Sequence, residues 1–254
     1  MRLNYIEIGD GPSMVILHGL FGSLDNWMTI AKRFAEHYRV FLVDQRNHGR
    51  SEHVDEHTYD AMSDDLHTFF EEHKLDSVTL VGHSMGGKTA MQFAIDYSDL
   101  LSRVVVLDIG PQAYEVHHDQ IIRSLRSLDL EVIASRKEAE IALSNLITQK
   151  ETRQFLLKNL YRTTGNEGSH RYAWRFNLDI IARDIEEVGL PIFGSCNLPA
   201  LFVRGAKSNY VSVNQLPQLK LQFPKAEMLT LETGHWIHAE DPDGLFEAII
   251  TFGQ

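Results

Sequence analysis

The chain has 254 residues, 43% hydrophobic and 23% charged, with neither Gly nor Pro in excess, which is the composition of one large globular domain or a domain carrying an insertion. Against 35 Asp+Glu there are 24 Lys+Arg, and the formal net charge of −11 excludes nucleic acid as the main partner, because a phosphate backbone needs a basic face. The one cysteine, Cys196, excludes an internal disulfide, has no second Cys for a zinc or C-x-x-C pattern, and reads as a small loop or core residue.

The first segment, "MRLNYIEIGDGPSMVILHG", alternates like a strand and has no apolar signal core. Two strands are expected there, "LNYIEIG" and "SMVILHG", joined by a Gly-Asp-Gly turn. A helix through "NWMTIAKRFAEHY" follows, with Asp25 as its expected N-cap. "RVFLVD" is a short apolar run suited to a strand buried on both faces. Met62, Leu66, Phe69, Phe70 and His73 recur at three- and four-residue spacing and mark an amphipathic helix. "SVTLVG" and "RVVVLD" are two more buried strands, with a helix between them. From about Pro111 to Cys196 the strand signal disappears, and four helices are expected, in "DQIIRSLRSLDLEVIA", "KEAEIALSNLI", "ETRQFLLKNLYR" and "NLDIIARDIEEV". The alternation resumes with strand "PALFVRG", a helix through "VNQLPQLKLQF" with an internal Pro217, strand "EMLTLE" and a last helix from Pro242 to Phe252. Strands alternating with helices predict an α/β fold with a parallel sheet, built from residues 1–110 and 197–254 and interrupted by a helical cap at 111–196. No run approaches the roughly 18 apolar residues of a membrane span, and the expected location is cytoplasmic.

"GHSMG", Gly82 to Gly86, stands between a buried strand and a helix, which is the context of a G-x-S-x-G nucleophile elbow. Such a turn holds Ser84 in an uncommon backbone conformation, and side chains at 82 and 86 would collide across it. It also lays the Met85 amide at a helix N-terminus, where developing negative charge is favoured. A serine needs a base. Of 13 histidines, His235 in "LTLETGHWIHAEDP" suits that role, since it follows Gly234 between the last strand and the last helix; His238 is the rival. His83 is expected to pack or hydrogen-bond under the turn. A second oxyanion donor should come from "HGLFGS", with the Leu20 amide first and Phe21 second, and His18 bracing that loop. Phe21, Tyr210 and Trp236 are the candidate pocket neighbours.

The motifs "HGLFGS", "DQRNHGRS", "GHSMGG", "LDIGP", "FVRGAKSNYVS" and "GHWIHAE", in this order over nearly the whole chain, resemble the α/β-hydrolase superfamily. "HGLFGSLDNW" with "DQRNHGRS" and "GHSMGGK" resembles a narrower group, small bacterial esterases and mitochondrial relatives acting on acyl esters, with acyl-CoA thioesters among the substrates implied. The resemblance implies a helical cap between the sixth and seventh strands. It also implies an acid after the seventh strand, but the loop there reads "AKSNYVS", without a carboxylate. The other location known in the superfamily is the end of the sixth strand, where Asp108 closes "RVVVLD"; Ser208 then becomes an auxiliary partner, and Glu232 and Glu240 are rivals close to His235. In "DQRNHGRS" the resemblance implies a structural brace, with Asp44 and Arg46 in buried pairing. Arg123, Lys158, Arg162, Arg171 and Arg175 are the residues available to meet the phosphates of a CoA. The expected activity is hydrolysis of small to medium acyl esters or thioesters with no metal and no organic cofactor. Carbon–carbon hydrolysis or perhydrolysis by the same residues, or a non-catalytic small-ligand receptor, are the alternatives.

Overall fold

The computed structural model describes residues 1–164 and 170–252. Seven strands form the central sheet: β1 (Tyr5–Ile8), β2 (Ser13–Leu17), β3 (Arg39–Val43), β4 (Val78–His83), β5 (Leu101–Leu107), β8 (Ala200–Gly205) and β9 (Ala226–Leu231). Their order is β1-β3-β2-β4-β5-β8-β9, with β1 antiparallel to β3 and every other pair parallel. The apolar runs are buried on both faces, as their composition requires. Val104 and Val106 of β5 pack into one core cluster, Val105 and Leu107 into the other. Each such side chain contributes roughly 1.5–3 kcal/mol by leaving water. Helices α2 (Tyr59–His73) and α3 (Met85–Asp96) cover the first face; α1 (Met28–Phe34) and α11 (Pro242–Thr251) cover the second.

This strand order has a physical consequence. From β2 the chain steps outward to β3, then returns across the sheet to β4 and continues the other way. The crevice at the carboxyl ends of β2 and β4 is therefore the topological switch point, where open α/β sheets bind ligands.

Between β5 and β8 lie α4 (Asp119–Arg126), α5 (Arg136–Ser144), α6 (Lys150–Leu157), α7 (Leu178–Arg183), α8 (Ile185–Gly189) and an antiparallel hairpin of β6 (Leu160–Thr164) with β7 (His170–Trp174). The insertion follows β5, the "RVVVLD" strand that the resemblance counts as the sixth. The hairpin corrects the expectation of an all-helical block. Helix α6 stops at Leu157, short of the expected Arg162, because the carbonyl of Asn159 accepts the Arg175 amide and starts strand pairing instead. Helix α4 likewise ends at Arg126, and Leu130, expected to be helical, gives its carbonyl to the Tyr172 amide of β7.

Other boundaries shift for local reasons. The turn before α1 is a 3₁₀ helix, Leu24–Asn26, capped by Ser23, whose amide donates to Asn26 Oδ1 at 2.8 Å; Asp25 lies inside that turn and caps nothing. α1 ends at Phe34, before the expected Tyr38. Pro217 is not internal to a helix: it sits in the first turn of α9 (Leu216–Gln222), where its missing N–H costs nothing. Among the described residues no helix is long and apolar enough to cross a membrane.

Candidate active site

Five loops, at the carboxyl ends of β2, β4, β5, β8 and β9, converge on one place. Ser84 follows β4 directly, with φ 54° and ψ −118°, a conformation that L-residues rarely adopt. The elbow's glycines are explained by contact. A Cβ on Gly82 would stand 2.1 Å from the Gly86 carbonyl oxygen, across the turn as expected. A Cβ on Gly86 would meet a different obstacle, the His18 carbonyl oxygen at 2.5 Å, so this glycine lets α3 lie against the end of β2.

Asp108 closes β5, is 1% exposed and has φ 51°. Its Oδ1 accepts the Gly205 amide at 2.9 Å, and its Oδ2 accepts both Ser208 Oγ and, at 2.7 Å, His235 Nδ1. The buried carboxylate is thus fully engaged, which is the condition for burying a charge. His235 is held from below as well, since His83 Nε2 donates to its carbonyl at 2.8 Å. The Tyr210 ring stacks on the imidazole with centroids 4.3 Å apart. Glu240 accepts the amides of Gly234 and Trp236 and so shapes the loop that carries His235, while Glu232 faces solvent. His238 lies in α10 (Ile237–Glu240), buried and stacked on Trp27 at 4.4 Å.

Ser84, His235, Leu20, Phe21, Tyr210 and Trp236 share a cavity of about 230 Å³. A second chamber of about 40 Å³ also reaches Ser84, Leu20 and Tyr210 and is bounded by Tyr59, Met85 and Ile109. Another cavity of similar size, near Phe193 and Leu221, has no titratable side chain in its wall.

Sequence reasoning missed His118. It comes from the insertion, just ahead of α4, and borders both chambers. Burial pushes its pKa down to about 4, and its Nδ1 has no partner among the described residues. Nothing local in "VHHDQ" marks it, because its position depends on how the insertion folds back. "DQRNHGRS" forms a brace. Asp44 accepts the Leu24 and Arg50 amides, Arg46 pairs with Asp65 at 2.7 Å, and His48 lies wholly buried beneath the loop after β2, outside both chambers. Of the non-glycine residues with positive φ, Phe21, Asn47, Ser84 and Asp108 all lie in these loops. Each such residue costs of order 1–3 kcal/mol, and the surrounding contacts must hold it.

Several buried histidines stay neutral. Burial pushes His57 and His238 down to about 3, and holds His48 and His83 well below the ordinary value of 6.5. Below pH 6.5 the unfolded chain takes up protons that the folded chain refuses. Stability is therefore fully present above 6.5 and falls as the pH drops toward 3. By pH 5, His57 and His238 should each have removed about 2 kcal/mol. Urea midpoints at pH 7 and pH 5 check this, and the loss should shrink in His57→Phe. Equal midpoints at both pH values would contradict it.

The family model for the alpha/beta hydrolase fold matches residues 12–242. The chain belongs to the α/β-hydrolase family. This α/β hydrolase is 36% identical over 257 residues to the sn-1-specific diacylglycerol lipase ABHD11 of Danio rerio, an alignment covering 97% of this chain and 80% of the relative. It is 34% identical over 239 residues to esterase YbfF of Escherichia coli, covering 93% of this chain and 91% of that protein. A solved marine microorganism esterase superposes with a TM-score of 0.94 at 39% identity, over 99% of both chains.

Proposed function

We propose that this α/β hydrolase cleaves small to medium acyl esters through a covalent acyl-Ser84 intermediate. It is a carboxylic ester hydrolase of the α/β-hydrolase type, in keeping with the esterase and lipase names of its relatives. The single observation that carries the mechanism is the 2.7 Å hydrogen bond from His235 Nδ1 to the buried Asp108 carboxylate, beside the cavity that Ser84 enters. With its proton on Nδ1, the ring keeps Nε2 free to accept one. His235 takes the Ser84 proton as Oγ attacks the ester carbonyl, and the Leu20 and Met85 amides hold the oxyanion. The imidazolium, stabilised by Asp108, gives its proton to the departing alkoxide. Water activated by the same ring then releases the acid and restores Ser84. Ser208 donates to Asp108 and orients it.

In this reading residues 111–196 are a cap over a core of residues 1–110 and 197–254, and the cap supplies His118, Phe155 and part of the pocket wall. The unequal chambers fit an ester with one short arm and one longer arm. The same chemistry would serve a thioester. Of the basic residues available for a CoA phosphate, however, Arg123 donates to the Asp119 carbonyl, Arg162 to Tyr172 Oη, and Arg171 pairs with Glu131. With Arg175 over the Tyr161 ring, four of these five cations have a local partner, which favours an oxygen ester. The single thiol is compatible with the cytoplasmic location we propose.

The test is a substrate panel combined with labelling. The purified protein should hydrolyse p-nitrophenyl acetate and butyrate, and a fluorophosphonate should attach to the peptide containing Ser84. Faster cleavage of a vinylogous diketone than of any ester would move the reading to carbon–carbon hydrolysis. Failure of both hydrolysis and labelling would overturn it.

A further inference from the structure

The loop after β2 offers three successive amides, Leu20, Phe21 and Gly22, and the structure separates them. The Gly22 amide donates to the Gly19 carbonyl at 2.9 Å. The Phe21 amide donates to His48 Nε2 at 3.1 Å. Leu20 alone has an amide with no protein partner among the described residues. Its direction is also fixed. The Gly19 carbonyl, in the same peptide unit, accepts His18 Nδ1 at 2.9 Å, and a trans peptide sends its C=O and N–H opposite ways. With the carbonyl tied to the buried His18 ring, the Leu20 N–H faces outward from the loop, and Leu20 borders both chambers beside Ser84.

Phe21 is the strained link, a bulky residue at φ 57°. Two side chains far away in sequence hold it. On one side His48 accepts its N–H; the Nδ1 of that ring donates to the Arg46 carbonyl at 2.9 Å, which fixes the tautomer with Nε2 unprotonated. On the other side Asn159 Nδ2 donates to the Phe21 carbonyl at 2.7 Å. Both residues are buried, at 0% and 1% exposure. His48 belongs to the sheet domain. Asn159 belongs to the insertion, between α6 and β6.

We propose that His48 and Asn159 are positioning residues that clamp Phe21 so that the Leu20 amide becomes the oxyanion donor, and that seating of the insertion thereby completes the oxyanion hole. The inference rests on the acyl-transfer reading above. It adds that the insertion does more than shape the pocket: it sets the electrostatic groups around the reacting carbonyl. Loss of one oxyanion donor typically costs about 10²–10³ in rate, and a donor that is misplaced rather than deleted should cost less.

Asn159→Leu keeps the size and removes the donor. Its kcat on a p-nitrophenyl ester should fall roughly 10- to 100-fold while KM stays within about twofold. Inhibition by a trifluoromethyl ketone, whose hemiketal carries the oxyanion, should weaken by the same factor as kcat. His48→Leu should behave alike, and His48→Gln, which returns an acceptor near the Nε2 position, should recover most of kcat. A merely structural contact would lower stability without coupling kcat to the ketone. If His48→Leu does not fold, the Asn159→Leu pair of measurements decides alone. Wild-type kcat in Asn159→Leu, or a loss confined to KM with ketone affinity unchanged, would overturn the clamp. In either case an active wild-type enzyme leaves the acyl-transfer reading standing, whereas an inactive, unlabelled wild type would remove that reading itself.

Discussion

Ser84→Ala is expected to lower kcat on esters about 10⁶-fold, with little change in thermal stability. The two halves of this prediction have separate causes. In the proposed mechanism Oγ forms the acyl bond, so no neighbouring group replaces it; what remains is water attack aided by the oxyanion donors. Stability should hold because the side chain caps no hydrogen bond at the start of α3 and alanine inherits the same φ of 54°. Steady-state kinetics with circular dichroism melting on the purified variant check both. Residual turnover within tenfold of wild type would place the nucleophile elsewhere.

Asp108→Asn is expected to cost about 10⁴ in kcat, again with the fold retained. The carboxylate now accepts on both sides, from Gly205 N at 2.9 Å through Oδ1 and from His235 Nδ1 at 2.7 Å and Ser208 Oγ through Oδ2. An amide has only one oxygen. If that oxygen keeps Gly205, the amide NH₂ faces His235 and pulls the ring into the opposite tautomer, with its proton on Nε2 and no lone pair for Ser84. If the amide flips, two donors face each other at Gly205. The flip keeps the productive tautomer but buries opposed donors at Gly205, so the first arrangement prevails, and it disables the base more than it disturbs packing. Ser208→Ala leaves both carboxylate oxygens in place and should lose far less, about tenfold. Unchanged turnover in Asp108→Asn would show that His235 is steered by another group.

The elements that were legible in the sequence are those specified by neighbours along the chain. Buried strands announce themselves as β-branched runs because both faces must exclude water. The elbow does so because an added Cβ at Gly82 would strike the backbone two residues past Ser84. Periodicity misled where tertiary partners took over. In "ETRQFLLKNLYR" the apolar spacing continues into Leu160, but its partner there is β7, and backbone pairing with Trp174 outweighs helix propensity. Asp25 offered good capping chemistry, yet it lies inside the 3₁₀ turn before α1, whose first amide, that of Leu24, is drawn to Asp44, and α1 itself starts after Trp27 with no side-chain cap.

By itself the sequence determined the α/β alternation, the place of the elbow and the short set of residues able to act as nucleophile, base, acid and donor. Only the tertiary structure decided which of them meet. It brought Asp108 to His235 across 127 positions and Asn159 to Phe21 across 138, and it consumed the Phe21 amide while leaving that of Leu20 without a partner among the described residues. The reason is that composition and spacing act through the chain, over one or two turns, whereas hydrogen bonds between loop ends depend on the strand order that sets those loops side by side.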